Sequence, residues 1–417
     1  MFLTREEEAM AEGKYGQGIA KCIDILIKFG EAFGTNKMVR ISSAHTMPKE
    51  PIQLLYEMTE GVTRTGVFTT LHPFMSAFDP HRWQKMGISD DFALQELSVC
   101  KKRLEVYQRV GFYQTFTCLP MLVGNLPRKG DYVSWIGSGA QILVNSVIGA
   151  RTNRDGTLLN LAAAITGRAP YGGLFLDENR HADVLVQLDG LDPFQLTHVD
   201  FGAIGYYVGA KAQNRSIVIN GLPKELEFVQ LKYLMSPLST SGSVSICHIV
   251  GLTPEAPSLQ QALGNRKPSE VIKVGKEEIR QTKALYAGDG DKVDMAVLGC
   301  PHCVVQELKT IASLLDGRKI GSNQKLWIGM PYQMYYLAKT MGYTRIIEDA
   351  GGVISNSCMA TIPESPIPHD VKVIATNSFK AAHYISRLTK GRVNVFVGNI
   401  DVCINAVTGG KWKGEHR

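Results

Sequence analysis

The sequence predicts an α/β protein built from parallel sheets with flanking helices. Strand-like segments at residues 67–71 and 293–298 are each followed by a polar turn, and residues 91–110 have the pattern of a long helix. Alternation of strands and helices is typical of parallel sheets that are covered by helices on both faces. Because 417 residues exceed the roughly 250 that one hydrophobic core accommodates, two or three lobes are expected.

The individual elements follow from local signals. Thr4 followed by Glu7 predicts a capping box at the start of the first helix, and apolar residues at helical spacing from Ile19 predict a second helix. The remaining elements predicted in the first third of the chain are strands at residues 38–41 and 113–118, a helix at 51–58, and an end of the long helix at Gly111.

Two changes in composition predict the lobe boundaries. Residues 202–221 are rich in glycine and aromatic residues, and a second boundary falls near residue 289. No internal repeat or low-complexity segment is evident. The expected lobes are residues 1–200 with Cys118, residues 201–290, and residues 291–417 with Cys300 and Cys358.

Composition excludes several classes of function. The formal charge of +6 is not concentrated in runs of like charge, so neither a nucleic-acid nor a membrane partner is expected. The first residues lack the basic and apolar regions of a signal peptide, and no apolar stretch reaches about 18 residues, which predicts a cytoplasmic protein. In that compartment the eight cysteines are expected to be reduced, so each is core filler, nucleophile or metal ligand.

A Cys-x-x-Cys motif, Cys300-Pro301-His302-Cys303, follows the predicted strand at residues 293–298. At the start of a helix such a pair is typical of thiol–disulfide oxidoreductases, because the helix N-terminus lowers the pKa of the first thiol. A thioredoxin domain is only about a quarter of this length, and a cytoplasmic location disfavours an oxidising pair. A zinc site would need a second pair of ligands at close spacing, which the sequence lacks.

Cys118, Cys300 and Cys358 are far apart in the sequence, but each lies at a predicted strand end or in a turn with glycine or proline. Three thiolates that converge at one sheet edge would bind an iron–sulfur cluster or an iron ion and leave one iron coordination site open to substrate. Three separate core cysteines are the alternative. Spacing alone does not decide between the two.

The sequence around these cysteines resembles the aconitase X family nearly from end to end. Ordered matches of this kind are highly specific. The matching motifs are Gly13-Lys14-Tyr15-Gly16, Ser43-Ala44-His45, Thr117-Cys118, Gly124-Asn125-Leu126-Pro127, Trp135, Asn145 to Arg154, Leu298-Gly299-Cys300-Pro301-His302, Ser357-Cys358-Met359, and Thr376-Asn377-Ser378 with Lys380 and His383-Tyr384.

The resemblance implies an aconitase-type fold of several lobes, with parallel or mixed sheets and flanking helices. It implies that Cys118, Cys300 and Cys358 bind an iron–sulfur cluster or a mononuclear iron, since members with different iron centres are known. Family members dehydrate cis-3-hydroxy-L-proline or mevalonate 5-phosphate, so an iron-dependent hydro-lyase of a small hydroxy acid is expected. The motifs look more like the two-subunit members. A small swivelling-domain subunit is therefore the expected partner, because that domain is expected to be absent from this chain.

The same resemblance assigns roles to residues outside the cysteines. Lys380 and Arg151 are expected to hold the substrate carboxylate or phosphate, and His45 to orient the hydroxyl or shuttle protons. The alternative is a structural ion pair for Lys380 and Arg151, a structural histidine for His45, and capping or packing of the surrounding helix for Asn145 and Ser146. The expected catalytic residues are His45, Ser138 and Lys380, and the expected substrate-binding residues are Ser43, His72, Pro73, Asn145, Ser146, Arg151 and Ser378.

Three positions depart from the family pattern, and the segment at residues 46–50 lacks the glycine-containing loop that follows Ser-Ala-His in relatives. Gly137 follows Trp135 where relatives usually carry a Glu-Ser pair, His72 stands where asparagine is common, and Asn356 stands where aspartate is usual. These positions are expected to face the substrate, so the hydroxy acid itself stays open. The alternative functions are a redox protein that uses the Cys-x-x-Cys pair and a non-catalytic aconitase-like binding subunit.

Overall fold

The structure is a computed structural model, and it describes residues 1–73, 78–288, 290–358, 367–409 and 411–413. Three lobes follow one another along these residues, each built around its own parallel sheet. This arrangement confirms the α/β fold that the alternating elements predict. No helix in the described ranges is long and apolar enough to cross a membrane.

The first lobe surrounds a small parallel sheet. The strands of the first lobe are β1 (Met38–Arg40), β2 (Ser43–Thr46), β3 (Phe68–Leu71), β4 (Val133–Trp135) and β5 (Arg168–Pro170). The helices of the lobe are α1 (Arg5–Ala11), α2 (Gln17–Ala32), α3 (Ile52–Met58), α4 (Asp90–Arg109), α5 (Ser138–Leu143) and α6 (Thr157–Thr166). The sheet has the order β3-β2-β4, and β1 pairs with β5 in an antiparallel ribbon. The predicted capping box of α1 forms, with the Glu7 N–H donating to Thr4 Oγ1 at 3.3 Å.

The strand predicted at residues 113–118 does not form. Tyr113 makes a single bridge to Thr70, and Phe116 adopts a left-handed backbone conformation with a φ of 43°. An L-residue with positive φ cannot continue a strand, so the chain leaves the sheet at this point. The irregular segment carries Cys118 to the third lobe, where its Sγ accepts a hydrogen bond from the His302 N–H at 3.0 Å.

The second lobe contains a parallel sheet of order β8-β7-β6-β9. Its elements are β6 (Val184–Leu188), α7 (His198–Ala212), β7 (Ile217–Asn220), α8 (Phe228–Gly242), β8 (Cys247–Ile249), α9 (Leu259–Ala262), β9 (Glu270–Val274) and α10 (Lys276–Ala284). Because β6 pairs with both β7 and β9, this lobe begins before residue 184, earlier than the boundary at residue 200 expected from the sequence.

The glycine-rich segment that suggested a boundary is part of a helix contact. A Cβ at Gly205 of α7 would lie 2.1 Å from Leu234 O of α8, and one at Gly242 of α8 would lie 1.7 Å from Gly209 O. Glycine therefore lets the two helix backbones approach more closely than any side chain would allow. A composition that resembles a linker here serves close packing inside one lobe.

The third lobe contains a five-stranded parallel sheet of order β12-β11-β10-β13-β14. Its elements are β10 (Met295–Leu298), α11 (Val305–Leu315), β11 (Lys325–Gly329), α12 (Tyr332–Thr340), α13 (Tyr343–Asp349), β12 (Val353–Ser355), β13 (Val373–Thr376), α14 (Phe379–Leu388), β14 (Asn394–Val397) and α15 (Ile400–Val407). Cys300 and Cys358 follow the carboxyl ends of β10 and β12, at the edge where ligands bind in open α/β sheets.

Candidate active site

A small cavity lies where the first lobe meets the carboxyl edge of the third sheet. Its volume is about 30 Å³. The structure brings the three cysteines of the sequence hypothesis to this cavity. The polar and proline side chains in its lining are Cys118, Cys300, Cys358, His72, Pro73, Pro301, His302, Ser357 and Lys380.

The three thiols influence one another. Burial raises the pKa of Cys118 to about 11 and that of Cys300 to about 12, and a negative charge on Cys358 would raise both pKa values further. The Lys380 ammonium opposes these effects. Thiols with such pKa values are protonated at neutral pH, so a bound cation is needed to hold them together as thiolates.

The donor chemistry of the cavity fits an iron centre. Within the described ranges, no three or more His, Cys, Asp or Glu side chains already form a closed set of metal ligands. Three soft sulfur donors nevertheless line one cavity, which is the donor type that iron–sulfur centres require. In the same neighbourhood the buried atoms His302 Nδ1 and Asn356 Oδ1 have no hydrogen-bond partner among the described residues.

Lys380 extends from the first turn of α14 toward the thiols. Its side chain is only 6% exposed, and its Nζ donates to Ser138 Oγ at 3.1 Å. Burial acts to lower the pKa of Lys380, but nearby acidic groups led by Cys300 and Tyr384 outweigh burial and raise it. The ammonium therefore stays charged at neutral pH. Ser378 caps the same helix and donates to the Cys300 carbonyl, which fixes the cysteine loop against α14.

A wider cleft of about 300 Å³ adjoins the cysteine cavity, and His72 and Lys380 line both spaces. Three basic side chains in its lining, Lys49, Arg154 and Lys380, suit a carboxylate or a phosphate. Asp155 also lines the cleft, and burial raises its pKa to about 6. Its carboxylate therefore titrates close to neutral pH.

The sequence did not single out several residues of the cleft. Arg154 and Tyr384 lie inside motifs that match the family, and their location in these motifs could have identified them as candidate site residues. Lys49 lies in the segment at residues 46–50 that departs from the family pattern, but the sequence assigned no role to its side chain or to Asp155. The closure of the first lobe against the third brings both beside Lys380.

His45 and His72 form a buried pair behind the cleft. His45 Nε2 lies 3.0 Å from His72 Nδ1, and His45 Nδ1 lies 2.9 Å from Thr70 Oγ1. Burial lowers the pKa of His45 to about 3 and that of His72 well below its usual range, so both rings are neutral. A Cβ at Gly137 would lie 2.5 Å from His72 Cε1. The His72 ring and a side chain at position 137 therefore exclude each other.

Two predicted substrate contacts have partners within the protein instead. Asn145 Nδ2 donates to the Thr152 and Ser245 carbonyls at 3.0 Å each, and its Oδ1 accepts from the Thr152 N–H. Ser146 Oγ accepts from the Cys247 N–H at 2.9 Å. Both residues are fully buried and line neither space at the site. They join the first lobe to β8, because buried backbone groups in that junction need partners.

Arg151 and Ser43 also lie away from the cysteine cavity. Arg151 pairs with Asp177 and donates to the Phe175 carbonyl at 2.7 Å, in a separate cleft between the first and second lobes. Ser43 Oγ accepts from Trp135 Nε1 at 3.1 Å. The matched motifs thus contain residues that hold the lobes together as well as residues that face the cleft.

The geometry argues against the redox alternative. Helix α11 begins at Val305, so Cys300 lies in the preceding loop and not at a helix N-terminus. Cys303 is fully buried in the core of the third lobe, and burial raises its pKa well above the usual range. A thiol in that state is a poor nucleophile for disulfide exchange.

Parallel-sheet lobes that bring three thiols and a buried lysine to one cavity are the arrangement that the resemblance to aconitase-type hydro-lyases implies. The family models for the first, second and third domains of aconitase X match residues 1–178, 182–284 and 293–409. The chain belongs to the aconitase X family. This membership confirms the resemblance read from the cysteine motifs.

Named relatives agree with that assignment. The phosphomevalonate dehydratase large subunit of Methanocaldococcus jannaschii is 34% identical over 94% of this chain and 97% of that protein. The cis-3-hydroxy-L-proline dehydratase of Pseudomonas aeruginosa is 30% identical over 97% of this chain and 70% of that protein. The holo-form crystal structure of Thermococcus kodakaraensis aconitase X superimposes with a TM-score of 0.84, at 32% identity, and covers 97% of this chain and 99% of that one. The predicted hydro-lyase class is confirmed by these dehydratases.

Proposed function

We propose that the chain is the large subunit of an iron-dependent dehydratase whose substrate is a hydroxy acid with two anionic groups, such as mevalonate 5-phosphate. The observation that carries this proposal is that His72 and Lys380 line both the cysteine cavity and the basic cleft. A substrate in the cleft would direct one end toward the thiols and the other toward Lys49 and Arg154. Four phosphomevalonate dehydratase large subunits at 31–35% identity support this substrate class.

Cys118, Cys300 and Cys358 would hold the iron, as a cluster or as a single ion. When bound, the iron would supply Lewis acidity toward the departing hydroxyl group. The Lys380 ammonium would neutralise the substrate carboxylate as negative charge grows on it during proton removal. Ser138 fixes the position of that ammonium by accepting its hydrogen bond.

The histidine pair would act as a neutral contact to the substrate. Because His45 and His72 are buried and uncharged, they can hydrogen-bond a hydroxyl without repelling Lys380. His45 would act through His72, since His45 lines neither the cavity nor the cleft. Pro73 closes the cavity beside them.

The base is proposed to come from a small swivelling-domain subunit that closes over the cleft. Relatives that match this chain over nearly their whole length are named large subunits, whereas the two hydroxyproline dehydratases match over about 70% of theirs. A domain that covers the cleft would also exclude water from the reacting groups.

A second substrate, cis-3-hydroxy-L-proline, is favoured by one observation. Asp155 places a carboxylate in the cleft beside the basic residues, and the ring ammonium of an imino acid would pair with it. Mevalonate 5-phosphate has no cationic group, so Asp155 would repel it when ionised. The two substrates therefore make opposite demands on Asp155.

The test is a reconstitution under anaerobic conditions. The chain is loaded with iron and sulfide, and dehydration of both hydroxy acids is measured with and without the candidate small subunit. We expect turnover of mevalonate 5-phosphate only in the presence of the small subunit. Full activity of the isolated chain would contradict the proposed origin of the base, and turnover restricted to hydroxyproline would overturn the substrate class.

A further inference from the structure

A buried ion pair links the second lobe to the loop that carries Cys300. Lys232 on α8 and Glu307 on α11 form a salt bridge, and their side chains are 1% and 2% exposed. Charges removed from water in this way are costly unless further hydrogen bonds satisfy them. Neither side chain lines the cysteine cavity or the adjoining cleft.

Both members of the pair have additional partners. Glu307 accepts hydrogen bonds from the Tyr233 hydroxyl at 2.8 Å and from the Val304 N–H at 2.9 Å. The Lys232 ammonium also donates to the His302 carbonyl at 3.3 Å and lies 5.0 Å from the centre of the Tyr233 ring. The loop at residues 302–304 is therefore held at the His302 carbonyl by Lys232 of the second lobe, and at the Val304 N–H by Glu307, whose carboxylate pairs with Lys232.

The same loop holds a thiol of the first lobe. The His302 N–H donates to Cys118 Sγ at 3.0 Å, while the His302 carbonyl accepts from Lys232. One residue thus connects the buried ammonium to the sulfur atom.

We propose that Lys232 and Glu307 are positioning residues for the iron site, which fix the loop so that the His302 N–H holds Cys118 as a ligand. The inference rests on the proposed function, because it takes the cysteines to be iron ligands. Outer partners of this kind orient metal ligands, and their loss typically weakens metal binding by roughly 10- to 100-fold.

The experiment uses the double variant Lys232→Met with Glu307→Gln in the full chain. Replacing both charges leaves no unpaired buried ion, so the variant is expected to fold. Within the double variant, Glu307→Gln keeps an acceptor for the Val304 N–H, so that this backbone group is not left without a partner. The matched control is Arg168→Met with Glu7→Gln, which removes another buried ion pair, 7% and 5% exposed, from the first lobe.

Measurements on two forms of the protein, iron-loaded and iron-free, separate this inference from the proposed function. In anaerobically reconstituted protein, iron transfer to a ferrous chelator should be roughly 10-fold faster for the double variant than for wild type, with a changed visible spectrum. In iron-free protein, amide exchange at His302 and alkylation of Cys118 should also be faster. The control should match wild type in all of these.

Unchanged exchange, alkylation and iron release in the folded double variant would overturn the positioning role. The same would follow if the control showed equal changes, because the effect would then reflect lost stability in general. If wild-type protein took up no iron, the proposed function would fail, and the iron-free measurements would still decide whether the ion pair fixes the loop.

Discussion

Replacement of Asp155 by asparagine should make the protein more stable and weaken its binding of an imino acid. Burial raises the pKa of this carboxyl group from 3.8 to about 6. Each pKa unit corresponds to about 1.4 kcal/mol, so the ionised carboxylate destabilises the folded chain by up to about 3 kcal/mol above pH 7. The group is only partly buried, and we therefore expect a gain of about 1–2 kcal/mol on neutralisation.

The sign of the pH dependence follows from proton binding. Between pH 4 and pH 6 the folded chain binds more protons at Asp155 than the unfolded chain, so this contribution to stability falls as the pH rises through that window. Asparagine does not titrate. The gain of the variant should therefore be complete above pH 7 and should vanish near pH 4.

Denaturant titrations at pH 7.5 and pH 4.5 measure this difference. The matched control is Asp370→Asn: the hydrogen bond from Lys325 holds the pKa of Asp370 below its usual range, so its loss should not stabilise the protein at either pH. If Asp155→Asn proved destabilising at pH 7.5, the carboxylate would have an internal partner and would not be available to a ligand. In turnover assays the variant should not lose activity on mevalonate 5-phosphate, because that substrate has no cationic group to pair with Asp155, whereas a loss of activity on cis-3-hydroxy-L-proline would support the second substrate.

Three further changes test the site. Gly137→Ala should destabilise the protein by about 1–3 kcal/mol, because position 137 has a φ of 91° and the new Cβ would lie 2.5 Å from His72 Cε1. Thermal unfolding of the double variant with His72→Ala should show that the part of the loss due to this clash is regained. Cys118→Ser should abolish iron binding in an anaerobic iron assay, whereas Cys303→Ser should retain it, and equal retention in both would contradict the assignment of ligands. Lys380→Met should lower turnover by roughly 2–5 kcal/mol in transition-state free energy with little change in melting temperature, and a parallel loss of stability would mark Lys380 as structural.

The sequence predicted the parts of the site that depend on sheet topology. Cys300 and Cys358 follow strands of one parallel sheet, and parallel strands present their carboxyl ends at the same edge. Local patterns placed each cysteine at a strand end or in a turn, and the resemblance to the aconitase X family implied that the three thiols meet. Cys118 reaches the same cavity by a different route, through an irregular segment where a strand was predicted.

The partners of buried polar side chains could not be predicted in the same way. The sequence does not distinguish Asn145 from a ligand-binding asparagine. The two differ in their hydrogen-bond partners, since the Asn145 side-chain amide donates to the Ser245 carbonyl, which is far away in the sequence. Arg151 shows the same ambiguity, since its partner Asp177 belongs to a turn that local patterns do not connect to it. The partners of these side chains depend on how the lobes pack together, and local sequence patterns contain little information on that packing.

The glycine contact between α7 and α8 has a mechanical consequence for the other two lobes. Helix α8 carries Lys232, and Gly205 and Gly242 set how near this helix stands to its neighbour. An alanine at either glycine would push α8 outward and move the ammonium relative to the His302 carbonyl that it holds. The spacing of two helices in the second lobe therefore affects the position of His302 in the wall of the thiol cavity, although the second lobe supplies none of the three thiols.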